Sequence, residues 1–268
     1  MREMRGSSAS DPRRRRPWFY RDTLASLVEL SIVIPAYNEE ARLGATLDGW
    51  CAFLDANPMD AEIIVSDDGS RDGTAALVER RAAADPRIRL NRLVQNQGKG
   101  GAVREGMLAA RGAYRFYVDA DLNIAPEHVL PALELLRSRA DLVVGKRSLT
   151  EYAAEEKSVA RVIAGALVQI TRRLFVLPVI SDTQCGFKGF RADLAERVFR
   201  ATLIRSFAFD IEALFLARRQ RARIVALPVS VTFRDASTYS LRRHLPRFLT
   251  DILRIRANAT CGRYREAG

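Results

Sequence analysis

Between residues 30 and 145, short runs of β-branched and aromatic residues alternate with stretches of helical spacing, and that alternation leaves few folds open. The spacing predicts strands at 30–35, 62–66, 88–94, 114–118 and 141–145, separated by helices at 38–53, 73–84, 101–110 and 126–138. A strand that returns through a helix pairs in parallel with the next, and parallel sheets are covered on both sides. The expected class is therefore α/β, a Rossmann-like and mostly parallel central sheet with helices on both faces. Beyond residue 145 the order loosens to a helix at 159–175, a loop at 181–189, helices at 194–199 and 210–219, and a strand at 223–233. No internal repeat and no linker divides the chain. Three parts are expected: a flexible basic arm over 1–24, a catalytic domain over 25–240, and a basic amphipathic helix with its tail over 241–268.

Composition narrows the partners. The chain has 268 residues, 48% of them hydrophobic, enough for one substantial core. Its formal charge of +11 calls for an anionic partner: nucleic acid, anionic lipid or a phosphorylated substrate. Much of the excess lies in the arm, around Arg13, Arg14, Arg15 and Arg16, and beyond Arg234. The arginine run does not read as an export signal, because Arg21, Asp22 and Glu29 interrupt the segment behind it and leave no clean apolar region. The most apolar stretch, 159–180, is broken by Arg161, Gln169, Arg172 and Arg173, so no transmembrane span is expected. Cys51, Cys185 and Cys261 are odd in number and form no CxxC pair, which fits ordinary thiols in a reducing cytoplasm. From Leu245 through Phe248, Leu249, Ile252 and Leu253 the apolar residues share one helical face, with Arg243, Arg247 and Arg254 opposite. That helix could lie on a bilayer or pack on the domain, and both readings stay open.

In parallel sheets ligands bind beyond the carboxyl ends of the strands, where this chain concentrates its polar residues. Pro35, Ala36, Tyr37 and Glu39 follow the first strand, Asp67 and Asp68 the second, the turn 95–101 the third, Asp119, Ala120, Asp121 and Asn123 the fourth, and Lys146 and Arg147 the fifth. Asp119 and Asp121, with Asn123 as a neutral oxygen ligand, suit Mg²⁺ or Mn²⁺; a solvated turn capping the next helix is the competing account. Gln97, Gly98, Lys99, Gly100 and Gly101 open a helix whose unpaired N–H groups would attract an anion, or else make a turn for close packing. Asp67 and Asp68 could equally be a cap and turn. Cys185 reads as a buried thiol, and His128 and His244 as surface residues.

Taken in order, Ile32 to Glu39, Val65 to Ser70, Gly98 to Gly101 and Asp119 to Asp121 resemble family 2 glycosyltransferases with the GT-A fold. Asp182 to Lys188 and Phe209 to Glu212 are similar to the dolichyl-phosphate glucosyltransferase and polyprenyl-phosphate sugar synthase branch. The likeness spans about residues 30–233. It implies that Pro35, Ala36, Tyr37 and Glu39 line a nucleotide pocket with Ala120, and that Val65 and Asp67, or Asp68, meet the base. It further implies that Asp119 and Asp121 hold Mg²⁺ or Mn²⁺, that Gly98 and Lys99 lie near the donor phosphates, and that Arg147 with Lys188 faces an acceptor phosphate. The chain departs from that branch over 234–240, where an expected glycine and lysine are missing, and in lacking hydrophobic anchor helices.

The activity so implied is inverting transfer of a sugar from a nucleoside diphosphate sugar, UDP-glucose among the candidates, to a polyprenyl or dolichyl phosphate. A lipid phosphate is already an anion and needs positioning more than a base. A soluble alcohol or natural-product acceptor is the alternative, and would need one, with Asp182 or Asp210 as candidate. A nucleotidyltransferase would carry a glycine-rich loop after the first strand, and 35–40 contains no glycine. A basic nucleic-acid-binding protein is the alternative from another class, though no nucleic acid is expected as partner. Such an enzyme would be cytoplasmic, with peripheral contact to an anionic membrane face.

Overall fold

The computed structural model describes residues 28–147, 182–232 and 241–264. The arm at 1–24, the helix expected at 159–175 and the segment 234–240 lie outside the described residues, as does the side chain of His244. Within them, seven strands form one sheet in the order β3-β2-β1-β4-β6-β5-β7. The first five strands are β1 Leu30–Ala36, β2 Ala61–Asp67, β3 Ile88–Arg92, β4 Tyr114–Val118 and β5 Leu142–Arg147; β6 Phe187–Arg191 and β7 Ile224–Val229 complete it. The helices are α1 Glu40–Ala56, α2 Thr74–Ala84, α3 Lys99–Ala109, α4 Val129–Ser138, α5 Ala192–Ala201, α6 Phe209–Arg219 and α7 Leu241–Thr260. All pairings are parallel except those of β6, which runs antiparallel to both β4 and β5.

The two-residue period of the strands splits the core in two. Ile32, Ile34, Ile63, Val65, Phe116 and Val143 face α1, α2 and α4. Val33, Ile64, Tyr117, Leu142 and Phe190 face α3, α5, α6 and α7. Every residue of β1 and β2 is buried, which is why both read as continuous apolar runs rather than alternating ones. Helical spacing does the same for α1, whose Leu43, Leu47, Trp50 and Leu54 are almost inaccessible. Each such side chain contributes about 1.5–3 kcal/mol by leaving water.

Two expectations are corrected. The stretch 181–189 is not all loop, because β6 begins at Phe187 and inserts between β4 and β5. Its five residues include Lys188 and Gly189, poor strand signals, yet all but its last residue are buried. Gly189 is needed there: a Cβ would stand 2.3 Å from the Phe116 ring. β7 stops at Val229 instead of 233, since Val231 turns to bridge Ile124 and Thr232 N–H donates to the Asn123 carbonyl at 2.8 Å. The chain thus leaves the sheet to cross beside the Asp121–Asn123 turn. Of the two readings open for α7, the described side chains support packing on the domain: Phe248, Ile252 and Ile255 are buried in the core that α6 shares.

β2 leaves β1 toward one side and β4 adjoins it on the other, so the strand order reverses at β1. The crevice above the carboxyl ends of β1 and β4 is where such a sheet binds ligand.

Candidate active site

That crevice is a cavity of about 700 Å³, lined by residues from the ends of β1, β4 and β5 and from the start of α3. The turn after β1 is fixed by the turn after β2. Asn38, held at φ 56°, donates its N–H to Ser70 Oγ at 2.9 Å and accepts Arg71 N–H at 2.9 Å through its side chain. Glu39 N–H donates to Thr74 Oγ1 at 2.8 Å. Pro35, Ala36 and Glu39 thereby line the cavity, with Tyr37 40% exposed at its rim.

The two aspartates after β2 part company. Asp68 lines the cavity and accepts the N–H groups of Gln97 at 2.7 Å and Gly98 at 2.8 Å. Burial nevertheless pushes its carboxyl up, and the two hydrogen bonds only partly oppose that. Asp67 is wholly buried; one oxygen accepts Ser70 N–H, and the other has Arg92 Nε at 3.6 Å and no hydrogen-bond partner among the described residues. Neither it nor Val65, packed in the core, lines the cavity.

Of the two readings open for the glycine turn, close packing is the one its contacts support. Three of its N–H groups are already engaged: Asp68 accepts those of Gln97 and Gly98, and the Arg205 carbonyl accepts that of Gly100 at 2.9 Å. The protein's own carboxylate occupies the helix N-terminus. Gly98, at φ 84°, serves geometry, since a Cβ there would lie 2.5 Å from the Arg205 oxygen. What α3 presents to the cavity is the Lys99 ammonium, 2.5 Å from Asp119 Oδ1 and 5.6 Å from the centre of the Phe207 ring.

Asp119 and Asp121 both reach the cavity with Ala120 between them. Burial works against the charge on Asp119, but the Lys99 ammonium, together with Lys188 and Arg147, outweighs it and holds the carboxyl below its usual range. Asp121 is pushed up by burial and by the charge of Asp119. Its oxygens accept the backbone N–H of Asn123 at 3.2 Å and the Asn123 side-chain amide at 2.7 Å, so Asn123 supports Asp121 through its nitrogen. Two carboxylates against one ammonium make a hard oxygen donor set with room for further positive charge, which fits a divalent cation. Gly186 keeps the space beside Asp119 open, because a Cβ would fall 1.9 Å from Asp119 Oδ2. Among the described residues no third His, Cys, Asp or Glu joins the pair.

Arg147, at the end of β5, lines the same cavity. Asp182 grips it in a fork, Nε to Oδ2 at 2.8 Å and Nη2 to Oδ1 at 2.9 Å, and also accepts its backbone N–H. Burial opposes the Asp182 charge, and the guanidinium overcomes this to leave its carboxyl below the usual range. Lys188 and Asp210 lie beneath the floor. Lys188 Nζ, fully buried, donates to Asp210 Oδ1 at 2.5 Å and to the Cys185 carbonyl at 2.7 Å, and Tyr117 donates its O–H to the same Asp210 oxygen at 2.6 Å. Neither lines the cavity, so Lys188 does not stand with Arg147 toward it. Cys185 is a buried thiol that burial pushes up to about 12. His128 accepts the Ser230 N–H at 3.2 Å through Nε2, tying the start of α4 to the end of β7.

Sequence reasoning missed Arg42 and Phe207 and gave no role to Asn96 and Gln184 within the stretches it did single out; all four line the cavity. One signal was present: Arg42 sits in the first turn of α1, where the helix dipole disfavours a cation, and Glu39 holds it there at 2.7 Å.

Comparison with known proteins agrees with this geometry. The glycosyl transferase family 2 profile matches residues 31–199. A dolichyl-phosphate beta-glucosyltransferase of Dictyostelium discoideum is 36% identical over 245 residues, covering 85% of this chain and 74% of that protein. Its namesake from Homo sapiens is 31% identical, covering 76% and 67%. Among solved structures, glucosyl-3-phosphoglycerate synthase from Mycobacterium tuberculosis, in complex with Mn²⁺, UDP and glucosyl-3-phosphoglycerate, superposes with a TM-score of 0.63 at 21% identity over 85% of this chain and 80% of that one. Mannosyl-3-phosphoglycerate synthase from Rubrobacter xylanophilus gives 0.63 at 19% identity, over 88% and 75%. With the sheet order, the carboxylate pair at the β4 terminus and these relatives in agreement, the chain belongs to glycosyl transferase family 2 and is a glycosyltransferase of the GT-A fold.

Proposed function

We propose that this chain moves a hexosyl unit, glucose first among the candidates, from a nucleoside diphosphate sugar to a dolichyl-type polyprenyl phosphate with inversion at the anomeric carbon. The observation that carries this reading is the presence, on one cavity, of an acidic pair at the β4 terminus and an oriented guanidinium at the β5 terminus. Relatives that bear the dolichyl-phosphate beta-glucosyltransferase name support the choice of donor sugar and acceptor.

Asp119 and Asp121 would hold Mg²⁺ or Mn²⁺, which when bound neutralises the charge developing on the departing diphosphate. Lys99 adds a positive charge beside the pair. Asp68 anchors the Gly98 turn and so places Lys99. Arg147, pre-aimed by Asp182, binds an acceptor phosphate in the fork geometry that suits guanidinium. A phosphate nucleophile is anionic at neutral pH, so this route asks for position and not for proton removal. The two candidate bases support the phosphate over an alcohol: Asp182 is committed to Arg147, and Asp210 to Lys188 and Tyr117.

The test is turnover of labelled UDP-glucose, GDP-mannose and other donors with Mg²⁺ or Mn²⁺, with and without polyprenyl phosphate, reading nucleotide release and lipid-linked sugar. Lipid-linked glucose supports the proposal. Release only with a soluble alcohol replaces the acceptor, and no metal-dependent nucleotide binding removes the donor assignment.

A further inference from the structure

The loop 202–208 joins α5 to α6 and reaches the site at two points, the glycine turn and, through Phe207, the cavity wall. The Arg205 carbonyl accepts Gly100 N–H, and Phe207 forms a wall beside Lys99. The fit is close enough that a Cβ on Gly100 would stand 2.6 Å from the Ile204 oxygen. Two buried carboxylates hold this loop from behind. Glu212, wholly inaccessible, accepts the N–H groups of Leu203 at 3.0 Å and Ile204 at 2.8 Å through one oxygen, and the Tyr264 O–H at 2.6 Å through the other. Asp251 on α7, 3% exposed, accepts the Ser206 O–H at 2.7 Å and is flanked by Arg254 and Arg247. Ser206 Oγ in turn accepts Ala208 N–H at 3.1 Å.

We infer that the C-terminal helix is a positioning element of the active site: Asp251 and Tyr264, through Ser206 and Glu212, fix the loop that sets the Gly98–Gly100 turn and the Phe207 wall. Among the described residues none of α7 or beyond it lines the cavity, so Asp251 and Tyr264 act only through the loop. The chemistry suits the role. A carboxylate with both oxygens engaged in a water-poor site has few alternative geometries, and a backbone held through its own N–H groups cannot drift without leaving a charge unpaired. The profile match ends at residue 199, so the loop and both of its holding carboxylates lie beyond it.

The catalytic meaning of the device rests on the cavity being the nucleotide-sugar site, whereas the mechanical coupling does not, and the experiment separates them. Hydrogen exchange followed by mass spectrometry on the full chain, without substrate, compares wild type with Ser206→Ala and Tyr264→Phe. Both variants are expected to speed amide exchange at 97–101 at least tenfold while peptides of β1 and β2 exchange as before. Ser206→Thr, which keeps the hydroxyl, restores the wild-type rate. The same variants weaken UDP or GDP binding several-fold by calorimetry, and Ser206→Ala adds nothing to the loss already caused by Phe207→Ala. Wild-type exchange at 97–101 overturns the coupling, as does acceleration spread evenly over the chain that Ser206→Thr leaves in place. Coupled exchange with unchanged nucleotide affinity overturns the positioning role alone.

Discussion

At the scale of single residues, the site is a set of charges each held by a named neighbour. Asp121 is the carboxylate that Lys99 does not bond, and Asn123 steadies it. Asp121→Asn is nearly isosteric and removes the charge, leaving one acceptor oxygen for the two Asn123 donors. It is expected to lower kcat/KM by about two to three orders of magnitude, the size of several kcal/mol of leaving-group stabilisation, with an unchanged unfolding midpoint. Nucleotide release under saturating metal checks it. Asp182 yields a prediction about pH. Its folded-state pKa lies below the usual 3.8, so the stability it lends is fully present above about pH 4 and is lost as pH falls through the depressed folded value. Asp182→Asn is therefore expected to destabilise the protein at pH 7 by about 1–3 kcal/mol, the worth of hydrogen bonds to a charged group, and by progressively less toward pH 3. Denaturant titration of both proteins across that range measures the difference. Activity is expected to follow a separate course: in the proposed acceptor role of Arg147, loosening its guanidinium should raise KM for the acceptor before it lowers kcat.

At the scale of elements, what could be read from sequence depended on whether local pattern or long-range contact decided the outcome. β1, β2 and β4 were legible because nearly every residue on them answers to one demand, burial. β6 was not, because the Lys188 charge is neutralised in the sheet interior by Asp210, 22 positions away, and Gly189 is required by Phe116 on the next strand. The helix-opening glycine turn was legible as a turn but not in its use. No local signal says that Asp68, 30 residues before Gly98, fills the place an anion would take. Phe207 and the α7 clasp were hidden for the same reason, their meaning lying in loops that meet only after folding. A test at this scale is Gly106, in the middle of α3. A Cβ there would lie 2.4 Å from Val33 Cγ1 and 3.1 Å from Ser66 Cβ. The helix would gain intrinsic propensity from alanine, about 1 kcal/mol, yet α3 would have to lift off β1 and β2. Overpacking of this kind costs about 1–3 kcal/mol, so Gly106→Ala is expected to lower the unfolding midpoint despite the better helix former. A raised midpoint would show that the sheet gives way more easily than its packing suggests.

At the scale of the whole molecule, the +11 charge must be placed. Among the described residues no helix is long and apolar enough to cross a membrane, while the proposed acceptor is a lipid phosphate. The outer face of α7 offers a way to meet it. Its inward residues, Phe248, Ile252 and Ile255, are already used by the core, so among the described side chains little apolar surface is left to insert. What remains outside is cationic, Arg247 and Arg256, with Leu253 about half exposed. Contact with a bilayer is then electrostatic: each arginine near an anionic leaflet contributes about 1 kcal/mol, within a screening length of about 8 Å at physiological salt. The full chain is expected to sediment with vesicles containing anionic lipid, to ignore neutral ones, and to be released as salt rises toward 0.5 M, on the order of a Debye length of 4–5 Å. Replacing Arg247 and Arg256 together by glutamine removes about 2 kcal/mol and should weaken vesicle binding roughly 10- to 30-fold. Arg247 also stands 4.0 Å from Asp251, so the control is Arg256→Gln alone, whose side chain neither lines the cavity nor pairs with Asp251: turnover with a short, water-soluble polyprenyl phosphate should persist in it. Binding to neutral vesicles, or retention at high salt, would instead assign the contact to apolar insertion and to another part of the chain.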